Sequence, residues 1–120
     1  MISPFTIERG PVSDRSVIIR VRGELDARNA PGLVEVCTQV RREGRSLVVN
    51  LAGVSFIASS GIGALLALVE EFRQGPGSLR LVAISPAVRA VVTLLNIDRF
   101  LGIDENEQAA LDILKDGTNG

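Results

Sequence analysis

The stretch LVVNLAGVSFIASSGIGALLALVEEFRQG, Leu47–Gly75, decides the fold. It opens with Leu47–Leu51, nearly continuous apolar sequence. Such a run is the pattern of a strand covered on both faces in the middle of a parallel sheet. From Ile62 the period changes. Ile62, Leu65, Leu66 and Val69 recur at i, i+3, i+4 and i+7, and Phe72 extends the series, so a helix turns one apolar face to a core. Gly75-Pro76-Gly77 stops that helix. Between strand and helix stand Ser59, Ser60 and Gly61, an unusually polar and small junction.

The same grammar extends in both directions. Val17, Ile19 and Val21 alternate with Arg20 and Arg22, which predicts a half-buried strand over Val17–Arg22. Phe5–Glu8 reads as its partner strand, with Pro11–Asp14 as the hairpin link. Leu33, Val36, Cys37 and Val40 share one helical face, opened by Asn29 or Ala30 before Pro31 and ended by Gly44. Downstream, Leu79–Ile84 is a second buried strand. Ser85 and Pro86 then cap and open a helix with Val88, Val91, Val92 and Leu95 on its apolar face. A short apolar piece, Phe100–Ile103, precedes a last helix over about Glu105–Lys115, and the DGTNG tail is expected to fray. Strands and helices alternate after the first hairpin. The expectation is one α/β domain over residues 1–120, with a mixed, mostly parallel sheet and packed helices.

Composition removes many functions. The 120 residues include no histidine, so Ser-His-Asp and Cys-His nucleophiles cannot be assembled. Cys37 is the single cysteine, which excludes an internal disulfide and a cysteine zinc site and suggests a reducing, cytoplasmic setting. A net charge of −1, no Trp or Tyr and only four Phe argue against nucleic acid or an anionic membrane as the main partner. The first ten residues, MISPFTIERG, carry no basic region followed by an apolar run, so no signal peptide is expected. No GxxxxGK loop is present, and Gly61-Ile62-Gly63 lacks the third glycine of a dinucleotide fingerprint. A nucleotide-binding or nucleotide-hydrolysing protein is therefore poorly supported, and no metal or cofactor is expected.

Three groups of residues remain as candidates. Cys37, on an apolar helix face, reads as an inert core residue. Glu24 and Asp26, two apart in extended chain, are either a carboxylate pair or strand-end turn chemistry. Ser59 and Ser60 have two readings. A serine ahead of a helix caps it by accepting from a backbone N–H. The same position also suits phosphorylation, because free N–H groups and the helix dipole accommodate an anion there. Gly61 and Gly63 would leave the first turn low-profile for a partner.

Three stretches carry a resemblance: GELDARNAP (Gly23–Pro31), VVNLAGVSFIASSGIGALL (Val48–Leu66) and LRLVAISPAVRAVVTLLNIDRFLGI (Leu79–Ile103). Together, in this order over almost the whole chain, they resemble the STAS-domain anti-sigma factor antagonists of bacteria. The resemblance implies a non-enzymatic partner switch. The unphosphorylated antagonist binds an anti-sigma factor that is also a serine kinase, and a sigma factor is released. Phosphorylation breaks the complex, and a serine phosphatase resets it. Ser59 falls on the family's phosphoacceptor, with Ser60 as second choice, and Asp26 matches an acidic position of its partner-facing region. The implied contact set is Asp26, Asn29, Ala58, Ser59, Ser60, Gly61, Ile62 and Gly63, on a monomer or weak dimer. Ala58 departs from the family, which usually has aspartate there. That departure supports an alternative: a phosphorylation-independent STAS module acting as a scaffold or as a lipid-transport ATPase subunit.

Overall fold

The computed structural model describes residues 4–11 and 13–115. Its elements are β1 (Thr6–Pro11), β2 (Ser16–Leu25), α1 (Ala30–Arg42), β3 (Ser46–Ile57), α2 (Ser59–Arg73), β4 (Leu79–Val82), α3 (Pro86–Leu95), α4 (Asp98–Leu101), β5 (Ile103–Asp104) and α5 (Glu107–Lys115). Among the described residues, five strands form one sheet in sequence order. β1 is antiparallel to β2, and β2 to β5 run parallel, so the mixed, mostly parallel α/β sheet expected from the sequence is what forms. Val12, in the expected hairpin link, and the tail beyond Lys115 lie outside the described residues.

Strand alternation gives the sheet two unequal faces. Val17, Ile19, Val21, Leu47, Val49, Leu51 and Leu81 point into the main core, which α1, α2 and α3 close with Leu33, Cys37, Leu65, Phe72, Val88 and Val92. Ile18, Val48 and Val82 point the other way, where α5 covers them with Ala110. β2 is therefore not half-buried along its whole length. Arg20 and Arg22 stand exposed as their alternation predicts, but Ile18 between them and the hairpin is shielded by a helix from the far end of the chain.

β3 continues well past the expected Leu47–Leu51, through Ala52–Ile57. The residue pairing with β2 runs Arg20↔Asn50, then Arg22↔Gly53, Gly23↔Val54 and Glu24↔Phe56. At each jump β3 has one more residue than β2, which is a bulge. Each bulge flips the phase of the inward side chains, so the core positions go from Leu51 to Val54 and then to Ile57. A simple period of two cannot follow that. Smaller differences have local causes. α5 begins at Glu107 rather than Glu105 because Asn106 Oδ1 accepts from the Ala109 amide at 2.8 Å, as a cap does. On α3, Val88 and Val92 reach the core, but Leu95 remains 51% exposed on the last turn before Asn96 takes a left-handed conformation. No helix among the described residues is long and apolar enough to cross a membrane.

Candidate functional site

Because β2 and β3 are parallel, both end at the same edge of the sheet, and each hands over to a helix there. That carboxyl edge is where open α/β sheets bind. The last pair of the ladder is Leu25↔Ile57, and the Ala58 N–H closes it by donating to the Leu25 carbonyl at 3.0 Å. α2 starts one residue later, with the Ile62 amide donating to the Ala58 carbonyl at 3.0 Å.

The expectation that a serine caps α2 fails. Ala58 occupies the N-cap position in extended backbone (φ −92°, ψ 171°), and no side chain caps the helix. Ser59 is already the first helical residue, so its hydroxyl stands one position too late to accept from the Ser60 or Gly61 amide as an N-cap side chain does. Tertiary pairing of Ala58 with Leu25 sets that boundary. Ser59 is exposed, Ser60 half-buried and Gly63 exposed. Gly61 and Ile62 are buried and face inward. Gly61 is a packing requirement: a Cβ there would lie 2.5 Å from the Leu25 carbonyl oxygen and 2.9 Å from Ile57 Cγ1. Of the implied contact set, Ser59, Ser60 and Gly63 thus present surface, while Gly61 and Ile62 fix how deeply α2 sits.

The β2–α1 loop lies beside this junction. Asp26 Oδ1 accepts from the Arg28 and Asn29 amides, each at 3.1 Å, and its carbonyl accepts from Ala30 at 2.8 Å. Asn29 Nδ2 donates to the Glu24 carbonyl at 2.8 Å. Asp26 therefore does turn chemistry, and both half-buried side chains shape the loop. The signal for it was local: an aspartate two and three residues ahead of the amides it accepts from. An open groove of about 580 Å³ runs between the helices, with Ser60 and Ala64 on one side and Ala27, Ala30, Pro31 and Val34 on the other. A cavity of about 520 Å³, between Phe72, Arg73, Phe100 and the turn at Gly75–Leu79, lies at the opposite, amino edge of β4 and has no part in this site. Two features of the carboxyl edge were not read from sequence. Phe56, three residues before Ser59, is 50% exposed, and Asn50 sits at the first bulge. Cys37 is buried in the main core, where desolvation pushes its thiol up to about 12. Among the described residues no cluster of His, Cys, Asp or Glu is placed to hold a metal ion.

The family model described as STAS domain matches residues 9–110. Similar curated proteins include the anti-sigma-B factor antagonists of Staphylococcus aureus (strain NCTC 8325 / PS 47), 27% identical over 96 residues, covering 79% of this chain and 89% of that protein. That of Staphylococcus epidermidis is 29% identical over 91 residues, covering 75% and 84%. Among solved structures, an anti-sigma factor antagonist from Mycobacterium paratuberculosis superposes with a TM-score of 0.82 at 26% identity, over 96% of this chain and 99% of that one. The anti-sigma factor antagonist SpoIIAA in its unphosphorylated form gives 0.76 at 25%, over 92% and 96%.

Proposed function

This chain belongs to the STAS domain family, and on that premise we propose that it is an anti-sigma factor antagonist switched off by phosphorylation at Ser59. The observation that carries the reading is the placement of Ser59: an exposed hydroxyl on the first residue of a long, uncapped helix, at the carboxyl edge of the sheet. Its relatives are anti-sigma factor antagonists, and one of them is described in an unphosphorylated form.

In this reading the partner is an anti-sigma factor with serine kinase activity. It docks on Ser59, Ser60 and Gly63, beside the loop built by Asp26 and Asn29, and a sigma factor is released. The kinase transfers the γ-phosphoryl group of ATP to Ser59 Oγ. The new O–P bond replaces the bond to ADP, and the hydroxyl proton leaves. The product carries about −1.5 to −2 charges at neutral pH. The host helix accommodates this charge, since its first amides have no partner within the helix and the dipole is positive there. A partner packed over the same turn has to desolvate it. Moving a complex from 99% to 1% bound requires about 5.5 kcal/mol, within the range of a phosphate buried without a counter-charge. A phosphatase hydrolyses the ester and restores binding. The chain itself supplies no catalytic group.

Ala58 favours a second reading, a STAS module in a larger assembly that works without phosphorylation. Titration of an anti-sigma kinase separates the two. Ser59→Ala is expected to bind like the wild type and to escape release by ATP, and Ser59→Asp to bind weakly. Wild-type affinity in Ser59→Asp, together with no phosphate on Ser59 after incubation with kinase and ATP, would leave the second reading.

A further inference from the structure

Asn50 marks the place where β3 leaves the body of the sheet. It is the last residue paired with β4 (Asn50↔Val82) and the last before the first bulge against β2. Beyond it β3 continues alongside β2 alone, toward Phe56, Ile57 and the first turn of α2. The Asn50 side chain occupies this bend. Its Oδ1 accepts from the Ala52 amide at 2.9 Å, and its Nδ2 donates to Glu107 Oε2 at 2.7 Å. Glu107 opens α5 and is gripped from β2: Arg20 Nε and Nη2 donate to Oε2 and Oε1 at 2.8 and 2.9 Å. One asparagine thus links the bulge, the helix on the back of the sheet and, through Glu107, the neighbouring strand.

The chemistry of both ends is fixed. Ala52 presents an N–H and requires an acceptor, while Glu107 presents a carboxylate and requires a donor. A primary amide offers one of each in a planar unit of this length. A bulge bends and twists its strand, so the group that ties the bulge down determines the direction of everything beyond it. We infer that Asn50 is a positioning residue for the Ser59 switch, through which α5 sets the bend of β3 that aims the first turn of α2 at its partner. The inference rests on the reading of Ser59 as the regulated contact. Aspartate at position 50 keeps the bond to Ala52 but sets two carboxylates against each other at Glu107. Glutamine at position 107 then turns a donor, its Nε2, toward the aspartate, and gives up the bond that Oε2 accepts from Arg20 Nε.

The test uses the full chain, free in solution, with amide hydrogen exchange resolved by residue. In Asn50→Asp the amides of Ala52 and of Phe56–Gly61 are expected to exchange at least about tenfold faster than in the wild type, while Leu81 in β4 is unchanged. The pair Asn50→Asp with Glu107→Gln is expected to return them most of the way to wild-type rates, the remainder being the Arg20 Nε bond that glutamine gives up. Glu107→Ala, which leaves Asn50 and Ala52 in place, is expected to loosen the same segment to a smaller degree, and it serves if Asn50→Asp does not fold. Acceleration spread evenly over all strands, acceleration confined to Ala52, or no recovery in the pair overturns the inference. An anti-sigma kinase that co-elutes with the wild-type chain provides the second readout. Its Kd is expected to rise about tenfold with Asn50→Asp and to recover in the pair, and an unchanged Kd with loosened amides overturns the positioning role. If the wild-type chain binds no such kinase, the functional reading fails, and the amide rates alone decide whether Asn50 aims α2.

Discussion

Gly61 lies against the Leu25 carbonyl so closely that a methyl group on it would stand 2.5 Å from the oxygen. α2 is thereby seated on the end of β2, and this contact fixes the height at which Ser59 emerges. Gly63, two residues on, has open space where its Cβ would be. The two glycines should respond oppositely to alanine. Gly61→Ala is expected to cost about 1–3 kcal/mol, since backbone and not a flexible side chain is in the way. Gly63→Ala is expected to gain about 0.5–1 kcal/mol from helix propensity. Urea unfolding of both variants measures this, and equal effects would mean that α2 is not seated on Leu25.

Cys37 should be inert while the protein is folded. Burial raises its thiol to about 12, so very little thiolate forms at pH 8, and the side chain is fully buried. A disulfide reagent such as DTNB is expected to react fully in denaturant and, under native conditions, only at the rate of unfolding. Rapid native labelling would contradict the burial.

The clasp on α5 predicts a pH dependence. The Arg20 guanidinium, and then Asn50, hold the Glu107 carboxyl below its ordinary 4.5. A group whose pKa is lowered by folding adds stability above its unfolded value and loses it as pH falls through the folded one. The stability difference between wild type and Glu107→Gln is therefore expected to be largest at neutral pH, and to shrink as pH falls below about 4.5. Arg20 is half-exposed, so the difference is modest and decreases with salt. Parallel stability curves from pH 7 to pH 3 would show that the pair does not contribute.

Much of this architecture is visible in the chain as written, for reasons that differ by residue. Leu47–Leu51 reads as a central strand because both its faces are covered, and Ile62–Phe72 reads as a helix because a single core sets its period. Ser85 is recognisable as a cap because Pro86 fixes the first helical residue after it, and its Oγ indeed accepts from Val88 at 3.3 Å. Nothing comparable fixes the start of α2. Its boundary depends on where the β2 ladder ends, at Leu25, which is more than thirty residues away in sequence, and the serine pair therefore falls inside the helix. The bulges hid the second half of β3 by shifting its phase. The bond from Asn50 to Glu107 spans 57 residues and leaves no local pattern at either end.

Ala58 holds the N-cap of α2 with a side chain that accepts no hydrogen bond, so this helix lacks the stabilisation that a capping side chain gives. Ala58→Asp places a carboxylate where the Ser60 and Gly61 amides point, and is expected to raise stability by about 0.5–2 kcal/mol. The same carboxylate would adjoin a phosphate on Ser59. Both groups then compete for the same amides and repel each other, so the gain should shrink or reverse when Ser59 is phosphorylated. Thermal unfolding of four species decides this: wild type and Ala58→Asp, each with serine or genetically encoded phosphoserine at position 59. A smaller gain in the phosphoserine pair means that alanine at position 58 favours the phosphorylated state. Equal gains would mean that the phosphate points away from the helix end, and that the charge a partner meets lies out in solvent.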